Sequence, residues 1–254
     1  MIDLHNHLLP NIDDGSRSVE QSVAVLEAFA AAGVTNVVCT PHLKASEISA
    51  HTDDKVAERG EAMDGLKAAA PTTPVLGLGF EIMLDEPLPA LAMGDRRLSL
   101  NGSRYYLVEF PITIVGAFAT TVLKQIAASG AVPLVAHPER YDTCSVAMVE
   151  AWRAVGAMMQ VDATTLTRPT TRGKLARQLV SRGLADIVAA DNHGDRRSVA
   201  TAAAYLEKAG SANVAEWLTV HNPRAILDNR DLRPVPAADL TAGTGWLRRL
   251  FSWD

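Results

Sequence analysis

Residues 1–15, MIDLHNHLLPNIDDG, place His5 and His7 two apart at the end of a short apolar run, with Asp13 and Asp14 following. On an extended backbone residues i and i+2 point to the same side, so two such imidazoles can grip one ion. A lone H-x-H is a weak signal. The fold is decided by what happens at the other apolar runs. Seven can be marked along the chain: 2–5, 36–40, 75–80, 105–109, 132–136, 157–161 and 187–190. Most are brief and bounded by Gly, Pro or Asn, as buried parallel strands are. His5 and His7 end the first run and His42 follows the second. Glu81 ends the third, Glu109 the fourth and His137 the fifth, while Asp191 and His193 follow the seventh. The sixth offers Asp162, which receives no role.

Between these runs lie stretches of helical period. Residues 18–33 have Ser18 as N-cap and Gly33 as stop, and 117–130 and 171–183 end in the same way at Gly130 and Gly183. Residues 51–71 read as a charged helix weakened by Gly60 and Gly65 and stopped by Pro71, and 197–210 follows the last strand. Strand and helix alternating seven times imply a parallel sheet with helices outside. In a β/α barrel the C-terminal strand ends converge on one face, which would gather the histidines and acids into one mouth. An open doubly wound sheet would fit the alternation too, but no GxGxxG follows the first strand. With no linker or shift in composition, 1–254 is expected to be a single domain, with about 230–254 a peripheral tail.

The 254 residues are 48% hydrophobic, enough for a sizeable core. A net charge of −5 argues against a nucleic-acid partner. Two cysteines without a CxxC pair, no signal peptide and no apolar run long enough to span a bilayer give the expectation of a cytoplasmic protein without a transmembrane segment. A cysteine nucleophile that attacks a bound phosphate needs an arginine six residues after it to cradle the oxygens. Here Cys39 is followed at that distance by Ala45 and Cys144 by Glu150, so neither fits, and Cys39 reads as a packing residue.

So many carboxylates in one mouth would repel each other unless something cationic sat among them. Mixed imidazole and carboxylate donors suit Mn, Fe or Zn. His51 and His221 lie away from strand ends and read as surface residues.

The segments MIDLHNHLLPNIDDGS, VVCTPH, FEI, YLVEFP, VAHPER, RGKLARQLVSRGLADIVAADNH and VHNP together resemble the bacterial PHP-type (polymerase and histidinol phosphatase), metal-dependent protein-tyrosine phosphatases of capsule and exopolysaccharide gene clusters. The similarity runs from Met1 to about Leu227, with the motifs in the family's order. The resemblance implies a distorted (β/α)7 TIM-like barrel carrying three divalent metal ions, Mn above Fe or Zn. One ion would be held by His5, His7, Glu81 and Asp191. A second would share Glu81 and add Glu109 and His137, and a third would use Asp14, His42 and His193. Arg140 matches an arginine that holds the phosphoryl group. For a second, the short NHGDRRS segment offers Arg196 or Arg197, with the spacing to the next helix favouring Arg197. Phe80 and Asn192 depart from the usual neighbours of the ligands.

The expected chemistry is phosphomonoester hydrolysis by metal-activated water, with Arg140 neutralising non-bridging oxygens. The resemblance implies the phosphotyrosine tail of a bacterial tyrosine kinase that regulates exopolysaccharide synthesis as substrate and partner. The rivals are a histidinol-phosphate or other small-molecule PHP phosphatase, a metal-dependent amidohydrolase, and a regulator that binds phosphopeptide without hydrolysing it. The C-terminal stretch LTAGTGWLRRLFSWD is expected to be a terminal helix packed on the barrel or another subunit, against the alternative of a membrane-surface helix.

Overall fold

The computed structural model describes residues 1–90, 92–114 and 116–240. Nine short strands alternate with helices among them: β1 Ile2–Asp3, α1 Val19–Ala31, β2 Asn36–Cys39, β3 His42–Lys44, α2 Thr52–Ala69, β4 Val75–Leu78, β5 Glu81–Met83, β6 Tyr105–Glu109, α3 Gly116–Ala128, β7 Val132–Ala136, α4 Val146–Ala154, β8 Met158–Asp162, α5 Ala163–Thr167, α6 Thr171–Ser181, β9 Ile187–Ala189, α7 Val199–Lys208, α8 Ala212–Glu216 and α9 Asn222–Leu227. All strand pairs are parallel. They fall into two ladders, β1-β2-β4 and β3-β5-β6-β7-β8-β9.

Each of the seven apolar runs carries a strand, but they do not form the single ladder expected of a simple ring. Beyond the second and third runs the pairing breaks and a further short strand starts, β3 after β2 and β5 after β4. Pro41 explains the first break, since it has no N–H to donate. Around it Thr40 N donates to Asn6 O at 2.8 Å, and Glu81 N donates to Pro41 O at 3.1 Å. At the other edge the ends of β1 and β9 meet. Asp191 N donates to His5 O (2.8 Å), His7 N donates to Asn192 O (2.7 Å), and Asn6 and Asn192 form a parallel bridge.

Alternate strand residues face two different cores. Val37, Cys39, Tyr106, Val108, Val135, Met159 and Val188 pack outward against helix residues such as Leu26, Leu123 and Trp152. Ile2, Leu4, Val38, Tyr105, Leu107, Leu134, Ala136 and Ile187 meet in a smaller inner cluster. Along that inner face the chemistry changes from bottom to top. β6 reads Tyr105, Leu107, Glu109 and β8 reads Met158, Gln160, Asp162, so apolar residues seal the floor and polar ones line the C-terminal rim.

The expected helices form with their punctuation. Ser18 accepts from Gln21 N at α1, Thr170 accepts from Gly173 N at α6, and Gly33, Gly130 and Gly183 adopt the positive φ that ends a helix. Gly60 and Gly65 do not break α2. His51 and His221 are exposed. Cys39 is buried and its thiol is pushed up to about 12 by desolvation. None of the described helices is long and apolar enough to cross a membrane. Of the expected peripheral tail, Val235 and Leu240 are buried and Ala238 N donates to Ser181 O. The Trp-rich segment 241–254 lies outside the described residues.

Candidate metal centre

Four donor atoms from three separate strand ends meet in the polar rim. His5 Nε2 lies 3.3 Å from His7 Nε2, 3.2 Å from Glu81 Oε2 and 3.3 Å from Asp191 Oδ1. His7 Nε2 lies 3.3 Å from Glu81 Oε2 and 3.4 Å from Asp191 Oδ1. Four nitrogen and oxygen donors each ~2.0–2.1 Å from one tetrahedral ion would stand roughly 3.3 Å apart. The five separations therefore fit a shared cation, and all four residues are buried.

The rings are held so that Nε2 faces the centre. His7 Nδ1 is 2.6 Å from Asp13 Oδ2, and His5 Nδ1 is 2.9 Å from Gln160 Oε1. Each Nδ1 thus carries the proton and donates it to an oxygen, which leaves the Nε2 lone pair free for a ligand. Asp13 Oδ2 also accepts from His42 N, and Gln160 Oε1 from His137 N. Neither orienting residue was singled out in the sequence. Asp13 was visible only as half of an acidic pair, and an amide inside a strand carries no periodic signal.

The remaining acids and imidazoles extend the cluster. His42 Nδ1 lies 3.1 Å from Glu81 Oε2 and 3.3 Å from Glu109 Oε1, a buried oxygen without a hydrogen bond. His137 Nε2 lies 3.0 Å from Glu81 Oε1 and 3.9 Å from Glu109 Oε2. Glu81 and Glu109 thus group most closely with His42, and His137 reaches the same cluster through Glu81. On the outer side Asp14 Oδ1 is 3.4 Å from His42 Nε2 and 3.5 Å from His193 Nε2, and His7 completes this group. Two of the residues, His137 (φ 32°) and Asp191 (φ 47°), have left-handed backbones, an uncommon conformation for non-glycine residues that turns the chain sharply at the strand end.

Without ions, the imidazoles must compensate the acids. Burial disfavours the imidazolium of His5 and His7, but the carboxylates of Glu81 and Asp191, with Asp13 beside His7, outweigh it and raise both pKa values. Burial likewise opposes protonation of His42, yet Glu109 and Glu81 raise it to about 10. Burial would raise Glu81 and Asp191, but the facing histidines hold both carboxyls below the usual range. In the absence of ions the positive charge that balances these acids thus falls on the imidazoles, a role a bound cation would take over.

Two arginines reach the same acid. Arg140 Nη2 contacts Asp191 Oδ2 at 2.6 Å and Asp162 Oδ2 at 2.9 Å. Asp162, unassigned in the sequence, thereby fixes Arg140 and also caps α5 by accepting from Thr165 N. Arg197 Nη1 is 3.4 Å from the same Asp191 oxygen, and its Nε donates to Asp195. Arg140 and Arg197 line one cleft of about 700 Å³, whereas Arg196 lines a different one between α1 and α7. Of the two candidates left open by spacing, Arg197 is therefore the one beside Asp191.

The chain is 31% identical over 241 residues to the tyrosine-protein phosphatase CpsB of Streptococcus pneumoniae, covering 89% of this chain and 98% of that protein. It is 32% identical over 143 residues to the tyrosine-protein phosphatase YwqE of Bacillus subtilis (strain 168), covering 55% of each. A solved structure from work on YwqE and CpsB, described as unique metal-dependent tyrosine phosphatases, superposes with a TM-score of 0.75 at 23% identity, covering 94% of this chain and all of that one, and so shares the fold. Residues 1–228 match the family model for capsular polysaccharide synthesis, CpsB/CapC. With most of its length matched, this chain belongs to the CpsB/CapC family.

Proposed function

We propose that this chain is a metal-dependent phosphatase of protein phosphotyrosine, folded as a single domain with a distorted seven-membered β/α barrel of the PHP type. The observation that carries the reading is the buried quartet His5, His7, Glu81 and Asp191, with donor atoms at ligand spacing and the Arg140 guanidinium 2.6 Å from the same Asp191. The two sheets joined by β2–β3 and β4–β5, and the bonds between the ends of β1 and β9, support the barrel reading. The named activities of the CpsB and YwqE relatives support the substrate class.

Three divalent ions are proposed, in the order of the quartet, the Glu81–Glu109–His137 group with His42 beside it, and the Asp14–His42–His193 group. Manganese is favoured over Fe or Zn by the share of carboxylate donors. Bound there, such ions supply positive charge that draws phosphoryl oxygens and acidifies water. The chain's own groups do the rest. Asp13 and Gln160 hold the His7 and His5 rings so that the donor set is formed before substrate arrives. Arg140, fixed by Asp162, offers further N–H groups to the non-bridging oxygens of a phosphate, and Arg197, 3.4 Å from the same Asp191 oxygen, offers a second guanidinium. A phenolate leaves readily (phenol pKa about 10), so little acid assistance is demanded. The natural substrate we propose is the phosphotyrosine tail of a tyrosine kinase controlling exopolysaccharide synthesis, met in the cytoplasm.

The test is phosphate release from a phosphotyrosine peptide by protein stripped with chelator and then reloaded with Mn, Fe or Zn. Reloading is expected to restore turnover in wild type but not in His5→Ala or Asp191→Ala. Turnover that persists in stripped protein, or in either variant, overturns the reading.

A further inference from the structure

The cleft beside the centre carries more positive charge than phosphate binding at the ions requires. Its wall includes Arg140, Arg168, Arg172 and Arg197. Two acids, Asp162 and Asp195, stand in the same wall, but each is paired, with Arg140 and Arg197 respectively. Arg172 has only Asp142, 3.4 Å away, and both are half exposed, so that pair is weak. The Arg168 side chain has no hydrogen-bond or ion-pair partner among the described residues. Two arginines therefore face the cleft with their charge essentially uncompensated.

Their backbone is rigidly held. Arg177 Nη1 donates to both Leu166 O (2.9 Å) and Arg168 O (2.8 Å), clamping the turn from α5 to α6. Gly173 lies so close under this turn that a Cβ there would stand 2.1 Å from Arg168 O. Ile112, which also lines the cleft, is 51% exposed, one of few large apolar side chains so placed among the described residues. A cleft of about 700 Å³ exceeds what one phosphotyrosine side chain fills, and it runs on from Arg140 and Arg197.

We propose that Arg168 and Arg172 form a second-anion subsite, which takes a phosphate or carboxylate on the peptide flanking the phosphotyrosine while Ile112 packs against that chain. The proposal rests on the phosphatase reading above and adds to it a determinant of selectivity, an anion flanking the phosphotyrosine read by Arg168 and Arg172. An arginine pair on a fixed turn is suited to this, because planar guanidinium groups engage either anion through two N–H bonds at small cost in ordering. Substrate selection would then come from charge outside the metal centre.

The test compares kcat/KM of metal-loaded full-length protein on four probes. They are p-nitrophenyl phosphate and three phosphotyrosine peptides of one length, with neutral flanks, glutamate flanks, or a second phosphotyrosine two residues away. Wild type should prefer an anion-flanked peptide to the neutral one by about 10-fold or more, the scale of one charge-assisted contact. In Arg168→Gln/Arg172→Gln protein that ratio should fall to near 1, with metal content and circular dichroism showing an intact fold. Preference for both acidic peptides marks a general anion site, and preference for the doubly phosphorylated one alone marks a phosphate site. A ratio near 1 in wild type, or one unchanged in the double variant, overturns the subsite. Failure to turn over p-nitrophenyl phosphate or any peptide would instead overturn the phosphatase reading.

Discussion

Gln160 is a neutral side chain at the middle of β8, yet it holds two elements of the centre in place. Its Oε1 accepts from the His5 ring and from the His137 backbone. Replacing it by leucine keeps the volume and removes the acceptor, so the His5 ring loses what fixes its tautomer. Loss of such an orienting partner weakens metal binding by about 10–100-fold. Gln160→Leu is expected to show that loss in a chelator-competition titration, while the strand stays folded. Unchanged affinity would mean that burial alone positions His5. The contrast with the proposed ligands explains what could be read in advance. His5, Glu81, Glu109, His137 and Asp191 stood out because each ends or directly follows an apolar run. Gln160 sits inside such a run, and Asp13 is one of two adjacent acids, so only the structure shows it turned to His7, while Asp14 faces His42 and His193, the grouping the resemblance implied.

Among the elements, α2 departs furthest from its sequence reading. Its composition suggested a solvated, weak helix, but Arg59 drives inward from it and is buried. Its guanidinium donates to Gly79 O (2.7 Å) and Arg97 O (2.9 Å) and lies 4.1 Å from the Phe80 ring centre. Gly79 and Phe80 are the two residues between β4 and β5, where the ladder shifts from one sheet to the other. Arg59 therefore braces the joint that presents Glu81. Desolvation lowers its pKa to about 10, which leaves it charged at neutral pH. Arg59→Met fills similar space without donors and leaves two carbonyls unpaired, a cost of about 2–4 kcal/mol. Urea denaturation should show that loss as a lower midpoint with an unchanged slope. A midpoint equal to wild type would assign the brace to packing alone. Helices with a Ser or Thr cap and a closing glycine were legible because those signals are local. The brace was not, because a lone arginine on a polar helix looks like every other exposed charge.

At the scale of the whole molecule, the centre joins chain ends far apart in sequence. His5 follows β1, His42 and Glu81 open β3 and β5, and Asp191 follows β9, so whatever neutralises these groups also ties the strand ends together. The sequence revealed their common destination through the strand-end pattern. It did not reveal the split into two ladders, which depends on where Pro41 interrupts pairing. In ion-free protein the tie is made by protons on His5, His7 and His42, whose pKa values are raised on folding. A group with a raised folded pKa contributes stability that is complete below its unfolded value, about 6.5 for histidine. That contribution is lost as pH rises, for His42 through about 10. Metal ions act in the opposite sense. They require deprotonated imidazoles, so their affinity rises over the same interval and they stabilise by mass action, about 2.7 kcal/mol at a hundredfold excess over Kd. Thermal melts from pH 6.5 to 9 should therefore show a Tm that falls steadily in chelator and is much flatter with saturating Mn, so that the gap between the two curves widens with pH. Parallel curves would mean that the strand ends are held without help from either protons or ions, and that the histidine–carboxylate cluster is not what fastens them together.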